Sequence, residues 1–190
     1  MATVDILFEG YVGDRVAGTV SLVRDDDVVA VIDPGMVPDR SAILDPLAAL
    51  GVEPTEVTDV VLSHHHPDHT VNIALFPKVK VHDHWAIYEN DKWISRPAEG
   101  FDLSANIRLM ETPAHTPQDI TTVVTTTDNV YAFTHLWWNG KLSADPLAAQ
   151  PELLEPNRDR VLEIATIVVP GHGAAFVASD APRVGDSKVG

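Results

Sequence analysis

The sequence predicts an α/β layered sandwich, and three observations carry that expectation. Short β-branched runs alternate with segments of helical spacing through the first half of the chain, the pattern of strands covered by helices. The run from Val57 to Leu62 reads as a buried strand and ends in Ser63-His64-His65-His66-Pro67-Asp68-His69. Single histidines then recur after three later apolar runs, as they do when functional loops gather at one edge of a sheet. At 190 residues the chain can bury one substantial core. One domain over residues 1–178, with a polar, flexible tail at 179–190, is the expected organisation.

Taken in order, Val4 to Val12 is expected to be a strand broken near Gly10 and Gly13, and Gly18 to Val23 a second. Asp25-Asp26-Asp27 is the turn into a third strand, Val28 to Ile32, which is apolar on both faces and therefore central. That strand ends in Asp33-Pro34-Gly35, a sharp turn that leaves one carboxylate at the sheet edge. Asp33 is either a turn former or a partner that orients a ligand histidine. Ile43, Leu44, Leu47 and Leu50 have helical spacing, with Gly51 as the stop. Thr70 to Phe76 reads as a short helix ended by Pro77, and Lys78 to His82 as a strand. Periodicity weakens from His84 to Ser104, which reads as an irregular functional loop region. Strands resume at Ile107–Thr112, Ile120–Thr127 and Val130–Thr134, with Asp128-Asn129 as a hairpin turn. A late helix over Asn157–Ala165 and a closing strand over Ile167–Val169 complete the list.

Composition narrows the function. There are 28 acidic against 13 basic residues, a formal charge of −15, which disfavours nucleic acid as a partner. Cysteine is absent, so no disulfide framework, thiolate nucleophile or thiolate ligand is available. The first residues lack a basic n-region and an apolar h-region, and no apolar run is long enough to span a membrane. A cytoplasmic protein is the expectation.

The chemistry lies in the histidine-rich motif. His64 and His66 alternate on one face of an extended segment, so both can point at one ion. Asp68 and His69 stand where the chain turns into a helix and offer an oxygen and a nitrogen to a second ion. Neutral imidazole and carboxylate suit zinc, iron or manganese in a site that keeps an open position. Further candidates are His115 in Thr112-Pro113-Ala114-His115-Thr116, His135 after Thr134, and His172 in Pro170-Gly171-His172-Gly173.

These motifs, with Ile32-Asp33-Pro34-Gly35, resemble the metallo-β-lactamase-fold metallohydrolases over nearly the whole chain, from about Val4 to Phe176. The resemblance implies a four-layer αββα sandwich with a dinuclear site in the cleft between its halves. Carried over by motif, His64, His66 and His115 hold the first ion, and Asp68, His69 and His172 the second. One departure matters: the family usually has a bridging aspartate where this chain has His135. An imidazole has one in-plane lone pair and cannot bridge as a carboxylate does. His135 therefore binds one ion terminally, stands behind the ligands, or leaves the site with a single ion; the terminal role is favoured here. The expected chemistry is hydrolysis by a metal-bound hydroxide, with two divalent ions, zinc first and iron or manganese as alternatives. Asp68 is the expected catalytic residue, orienting or deprotonating the attacking water.

The chain is most similar to the compact single-domain branch of that superfamily. The primary expectation is a hydrolase of a small ester, lactone or thioester, its substrate small and anionic in preference. A phosphodiesterase or ribonuclease of the same fold is one alternative, and a non-hydrolytic metal-binding or diiron redox protein another. No membrane partner is expected, and homo-oligomerisation is left open. Trp137 and Trp138 are either core aromatics or a wall of the substrate pocket, His82 and His84 are expected at the surface or behind the ligands, and Lys141 is expected to be solvated.

Overall fold

A computed structural model describes residues 1–185. Its first sheet has seven strands: β1 (Thr3–Phe8), β4 (Val20–Asp25), β5 (Val28–Ile32), β6 (Asp59–Val61), β7 (Lys80–His82), β8 (Ala86–Glu89) and β9 (Lys92–Ser95), side by side in that order. The second has six: β10 (Asp102–Ser104), β11 (Ile107–Glu111), β12 (Ile120–Thr125), β13 (Val130–Thr134), β14 (Ile167–Pro170) and β15 (Phe176–Val177), in chain order. β2 (Tyr11–Val12) and β3 (Val16–Ala17) form a separate small hairpin. The helices are α1 (Ser41–Ala49), α2 (Pro67–Thr70) and α3 (Leu154–Leu162).

Strand alternation distributes the apolar residues between layers. On β5 and β6, Ile32 and Val61 join Val23, Leu109, Phe133 and Val169 in the core between the two sheets. Their neighbours Val31 and Val60 face the other way, against Ile43 and Leu47 of α1. On the far side, Leu154 and Val161 of α3 pack with Ala132, Trp137 and Val168 of the second sheet. The result is helix, sheet, sheet, helix.

Parallel pairing places the functional loops. β5, β6 and β7 run parallel in one sheet, and β13 and β14 in the other. Asp33, the Ser63–His69 stretch, His135 and His172 therefore all follow the carboxyl ends of strands. The Ser63 carbonyl accepts the Ile120 N–H at 2.9 Å, and the Gly171 carbonyl accepts the Thr19 N–H at 2.8 Å, tying the two halves together at that edge.

Three expectations change. Residues 86–95 are an ordered hairpin, β8–β9, turning at Asn90, whose φ is 56°. All four β9 residues are exposed, so no apolar partner leaves a periodic trace in the sequence. The helix expected over 70–76 is instead the single turn α2 followed by a 3₁₀ turn at Ile73–Leu75. The late helix begins three residues early, at Leu154, because Pro156 falls in its first turn, where a missing N–H costs no intrahelical bond. The tail is docked as far as it is described: the Pro182 carbonyl accepts the Trp137 indole N–H at 2.8 Å, and Arg183 pairs with Glu155 and Asp159. Residues 186–190 lie outside the described residues. Among the described residues no helix is long and apolar enough to cross a membrane.

Leu47 has no solvent exposure on α1. Leu47→Ala is expected to cost about 2–5 kcal/mol, read as a lower urea midpoint with an unchanged slope.

Candidate metal centre

The buried strand β6 delivers the motif. Beyond it the chain stays extended, so His64 and His66 share one side while His65 points to the other and meets Asp83 at 2.9 Å. His66 is held extended (φ −69°, ψ 146°) before Pro67, which opens α2 at the position proline tolerates best. That single turn brings Asp68 and His69 back over the same cleft. It is seated on Gly35, where a Cβ would come within 1.7 Å of the Asp68 carbonyl oxygen.

Two groups of donors converge. His64 Nε2 and His115 Nε2 lie 3.0 and 3.1 Å from His66 Nδ1. Asp68 Oδ2 lies 3.7 Å from His69 Nε2 and 3.6 Å from His172 Nε2. His135 stands between them, its ring 4.1 Å from that of His115 and 4.7 Å from that of His64. Its Nε2 is 3.0 Å from His172 Nε2, on the side of the second group. Gly171 makes room for it, since a Cβ there would meet the His135 ring at 2.5 Å. Four overlapping triads, His64/His66/His115, Asp68/His69/His172, His64/His69/His135 and His115/His135/Asp145, each keep their donor atoms within 4.8 Å of one another.

The fit to an ion is chemical as well as geometric. Nitrogens about 2.0–2.1 Å from one ion lie a little over 3 Å apart, close to the separations here. The buried His69 Nε2, the nitrogen that faces Asp68 and the cluster, has no hydrogen-bond partner among the described residues. The other ring atoms are held from outside. Asp33 Oδ2 accepts from His69 Nδ1 at 3.0 Å, while its Oδ1 accepts the Ser63 N–H at 2.7 Å. Asp145 Oδ2 accepts from His115 Nδ1 at 2.8 Å, and the Ala17 carbonyl from His172 Nδ1 at 3.0 Å. Ser63 Oγ is 3.0 Å from His64 Nδ1. Outer partners of this kind decide which nitrogen carries the proton and turn the lone pair inward.

Burial sets the charge state. His64 and His135 are pushed well below the ordinary histidine range by burial and then by neighbouring imidazoles. His66 and His172 move down for the same first reason. For His69 burial also acts downward, but the Asp33 and Asp68 carboxylates outweigh it and the group ends above the ordinary range. Burial raises Asp119 to about 6; its carboxylate accepts the Thr116 and Ala114 N–H groups and shapes the His115 turn.

Four of the donor residues, His66, Asp68, His115 and His172, line the floor of a cleft of about 530 Å³ walled by Val12, Val16, Met36, Trp138 and Leu147, and His64, His69 and His135 are buried behind them. All seven residues singled out as ligands, His64, His66, Asp68, His69, His115, His135 and His172, are brought to this one place. Asp33 proves to be both turn and orienting partner. His82 is buried against Asp59 at 2.7 Å, away from the cleft, and His84 packs on Trp85. Trp137 is fully buried core, whereas Trp138 faces His115, His135 and His172 at 5.8–6.1 Å. Lys141 is exposed in a groove beside His172. Asp145 escaped the sequence reading: it lies thirty positions from His115, and only its Asp-Pro turn marks it.

A family model described as the metallo-beta-lactamase superfamily matches residues 13–184. A Xenopus laevis protein named metallo-beta-lactamase domain-containing protein 1 is 28% identical, over 92% of this chain and 81% of its own length. The Mus musculus protein of that name is 34% identical over 72% of this chain and 56% of its own length. The chain thus spans from about half to four fifths of these relatives. Among solved structures, a metallo-beta-lactamase from Thermotoga maritima superposes with a TM-score of 0.74 at 20% identity, over 93% of this chain and 99% of that one. A protein solved in a di-iron-bound form reaches 0.67 at 21%, over 90% and 95%. A quorum-quenching N-acyl homoserine lactone lactonase reaches 0.64 at 15%, over 90% and 91%. At these identities the likeness to the structures is one of fold.

Two outcomes follow from the proton inventory. Asp33→Asn presents an N–H to His69 Nδ1 and should move the ring proton to Nε2, visible in the ¹⁵N shifts of His69 at neutral pH. In metal-free protein, four cluster histidines are shifted down, against His69 shifted up and Asp119 raised to about 6, which act in the opposite sense. The unfolded chain therefore binds more protons below about pH 6.5, and stability present above that pH is lost as pH falls through it. A thermal midpoint that rises on acidification from pH 7 to 5.5 would contradict this.

Proposed function

We propose a metal-dependent hydrolase, and the premise is plain: the chain belongs to the metallo-beta-lactamase superfamily. The observation that carries the reading is the convergence of six imidazoles and one carboxylate at the base of one apolar-walled cleft, four of these residues lining it and three buried behind them. His64, His66 and His115 hold one divalent ion. Asp68, His69 and His172 hold a second, joined by His135 as a terminal ligand through the Nε2 that lies beside His172 Nε2. Zinc is the first choice, with iron or manganese compatible with the same nitrogen and oxygen donors. Such ions supply Lewis acidity toward a substrate oxygen and toward water.

The protein's own groups do the rest. Asp33 and Asp145 keep the His69 and His115 tautomers. Asp68, the sole carboxylate among the seven, orients the attacking water and accepts its proton. Val12, Val16, Met36, Trp138 and Leu147 take the apolar part of the substrate and exclude bulk water. Two divalent ions less one carboxylate leave about three positive charges at the floor, which favours a small substrate with anionic character. The chain's charge of −15 opposes a polyanion such as nucleic acid. We take the substrate to be a small ester, lactone or thioester; the fold it shares with a lactonase supports that class.

Purified protein should contain two divalent ions per chain by elemental analysis. Chelation should abolish turnover in a panel of ester, lactone, thioester and phosphodiester substrates, and added zinc should restore it. Asp68→Ala is expected to lower kcat by about 10²–10⁴ with an unchanged circular dichroism spectrum. Full activity in metal-free protein would overturn the mechanism. Turnover of phosphodiesters alone would move the substrate class, and bound iron with visible absorbance but no hydrolysis would move the reading to redox chemistry.

A further inference from the structure

We infer that Arg158, with its neighbour Asn157, is a positioning residue for the metal centre: one face of α3 clamps the backbone of the loops that carry His115, His135 and Asp145. The inference rests on the metal-binding reading above. Arg158 has no solvent exposure. Its Nε and Nη2 both donate to the Leu136 carbonyl, at 3.0 and 2.7 Å, the residue directly after His135. Its Nη1 donates to the Ser143 carbonyl at 2.6 Å, two residues before Asp145, and to Glu155 at 2.7 Å. Asn157 Nδ2 donates to the Pro113 carbonyl at 2.8 Å, two residues before His115.

One guanidinium therefore pins both ends of the segment 136–143, which carries the cleft wall Trp138, and its Cζ lies 4.9 Å from the centroid of the Trp137 ring. Asp145, placed by the far end of that segment, in turn accepts from His115. Moving either end changes the distance between the His135 and His115 rings, which pack at 4.1 Å. Stability alone gives little reason for this choice. A buried guanidinium is costly to desolvate, and apolar side chains of similar volume serve packing as well or better. What an apolar replacement cannot do is hold the Leu136 and Ser143 carbonyls in a rigid fork. Lysine keeps the charge but has no planar fork.

The test measures Co²⁺ binding by competition with a chromogenic chelator, the Co²⁺ ligand-field spectrum, and the thermal midpoint without metal. Variants are Arg158→Lys, Asn157→Ala and, as a control in the C-terminal segment docked on α3, Arg183→Ala, which removes ion pairs to Glu155 and Asp159. Arg158→Lys and Asn157→Ala should fold, weaken Co²⁺ affinity about tenfold to a hundredfold and alter the spectrum. Arg183→Ala should lower the midpoint with affinity and spectrum intact. Wild-type affinity in both clamp variants would overturn the inference. So would a loss of affinity that merely follows the loss of stability, control included, or an Arg158→Lys protein that does not fold while Asn157→Ala binds normally. Wild-type protein that binds no Co²⁺ would remove the metal reading and the inference with it, a result distinct from normal wild-type binding with unaffected variants.

Discussion

The structure depends on a proton inventory. Six imidazoles face one another across 3.0–3.1 Å nitrogen contacts or tilted and edge-on rings in a largely buried cluster, where protonating them together would set like charges side by side without water. They can share the space only if most are neutral and their lone pairs point inward. That requires acceptors outside the cluster, and the protein supplies them from separate parts of the chain: Asp33 for His69, Asp145 for His115 and the Ala17 carbonyl for His172. Asp33 does more than accept. Its other oxygen takes the Ser63 N–H, so the same carboxylate that orients a ring also anchors the start of the motif.

The two sheets make this possible by being separate structures with a common edge. Each has its own helix-covered core, and a third core lies between them. Parallel pairing of β5 with β6 and of β13 with β14 sends the ends of those strands out along one line. The donors are consequently divided, with His64, His66, Asp68 and His69 from the first half and His115, His135 and His172 from the second. Contacts such as Ile120 N–H to the Ser63 carbonyl then become part of the site as well as of the fold, because they set the distance between the halves.

Much of this was legible in the sequence, for local reasons. The apolar β-branched stretch before Ser63 announces a strand, and alternation beyond it places His64 and His66 on one side. Gly35 and Gly171, next to motif residues, mark places where backbone or ring must approach closely. The features that stayed hidden depend on distance in sequence or on packing. Asp145 reaches His115 across an irregular segment with no period to read. Trp137 and Trp138 are neighbours of the same type, yet one is buried beneath Arg158 and the other faces the histidines, a difference set by which side of the turn meets α3. The β8–β9 hairpin was unreadable because β9 buries no side chain.

His135 is where the resemblance and the residues part, and its surroundings say why the difference has chemical weight. A carboxylate there would bring a negative charge and two acceptor oxygens between the donor groups. The imidazole brings neither charge nor a second in-plane lone pair on the same atom. Its Nε2 is committed to the His172 side, and its Nδ1 is buried without a partner among the described residues. The ring lies 6.1 Å from that of Trp138 in a place closed to solvent, so the missing negative charge is not made up by water. With two divalent ions held as proposed, the floor would carry an excess of positive charge inside a chain of net charge −15, a balance that favours small anions able to enter the cleft over long polyanions that must lie along the surface.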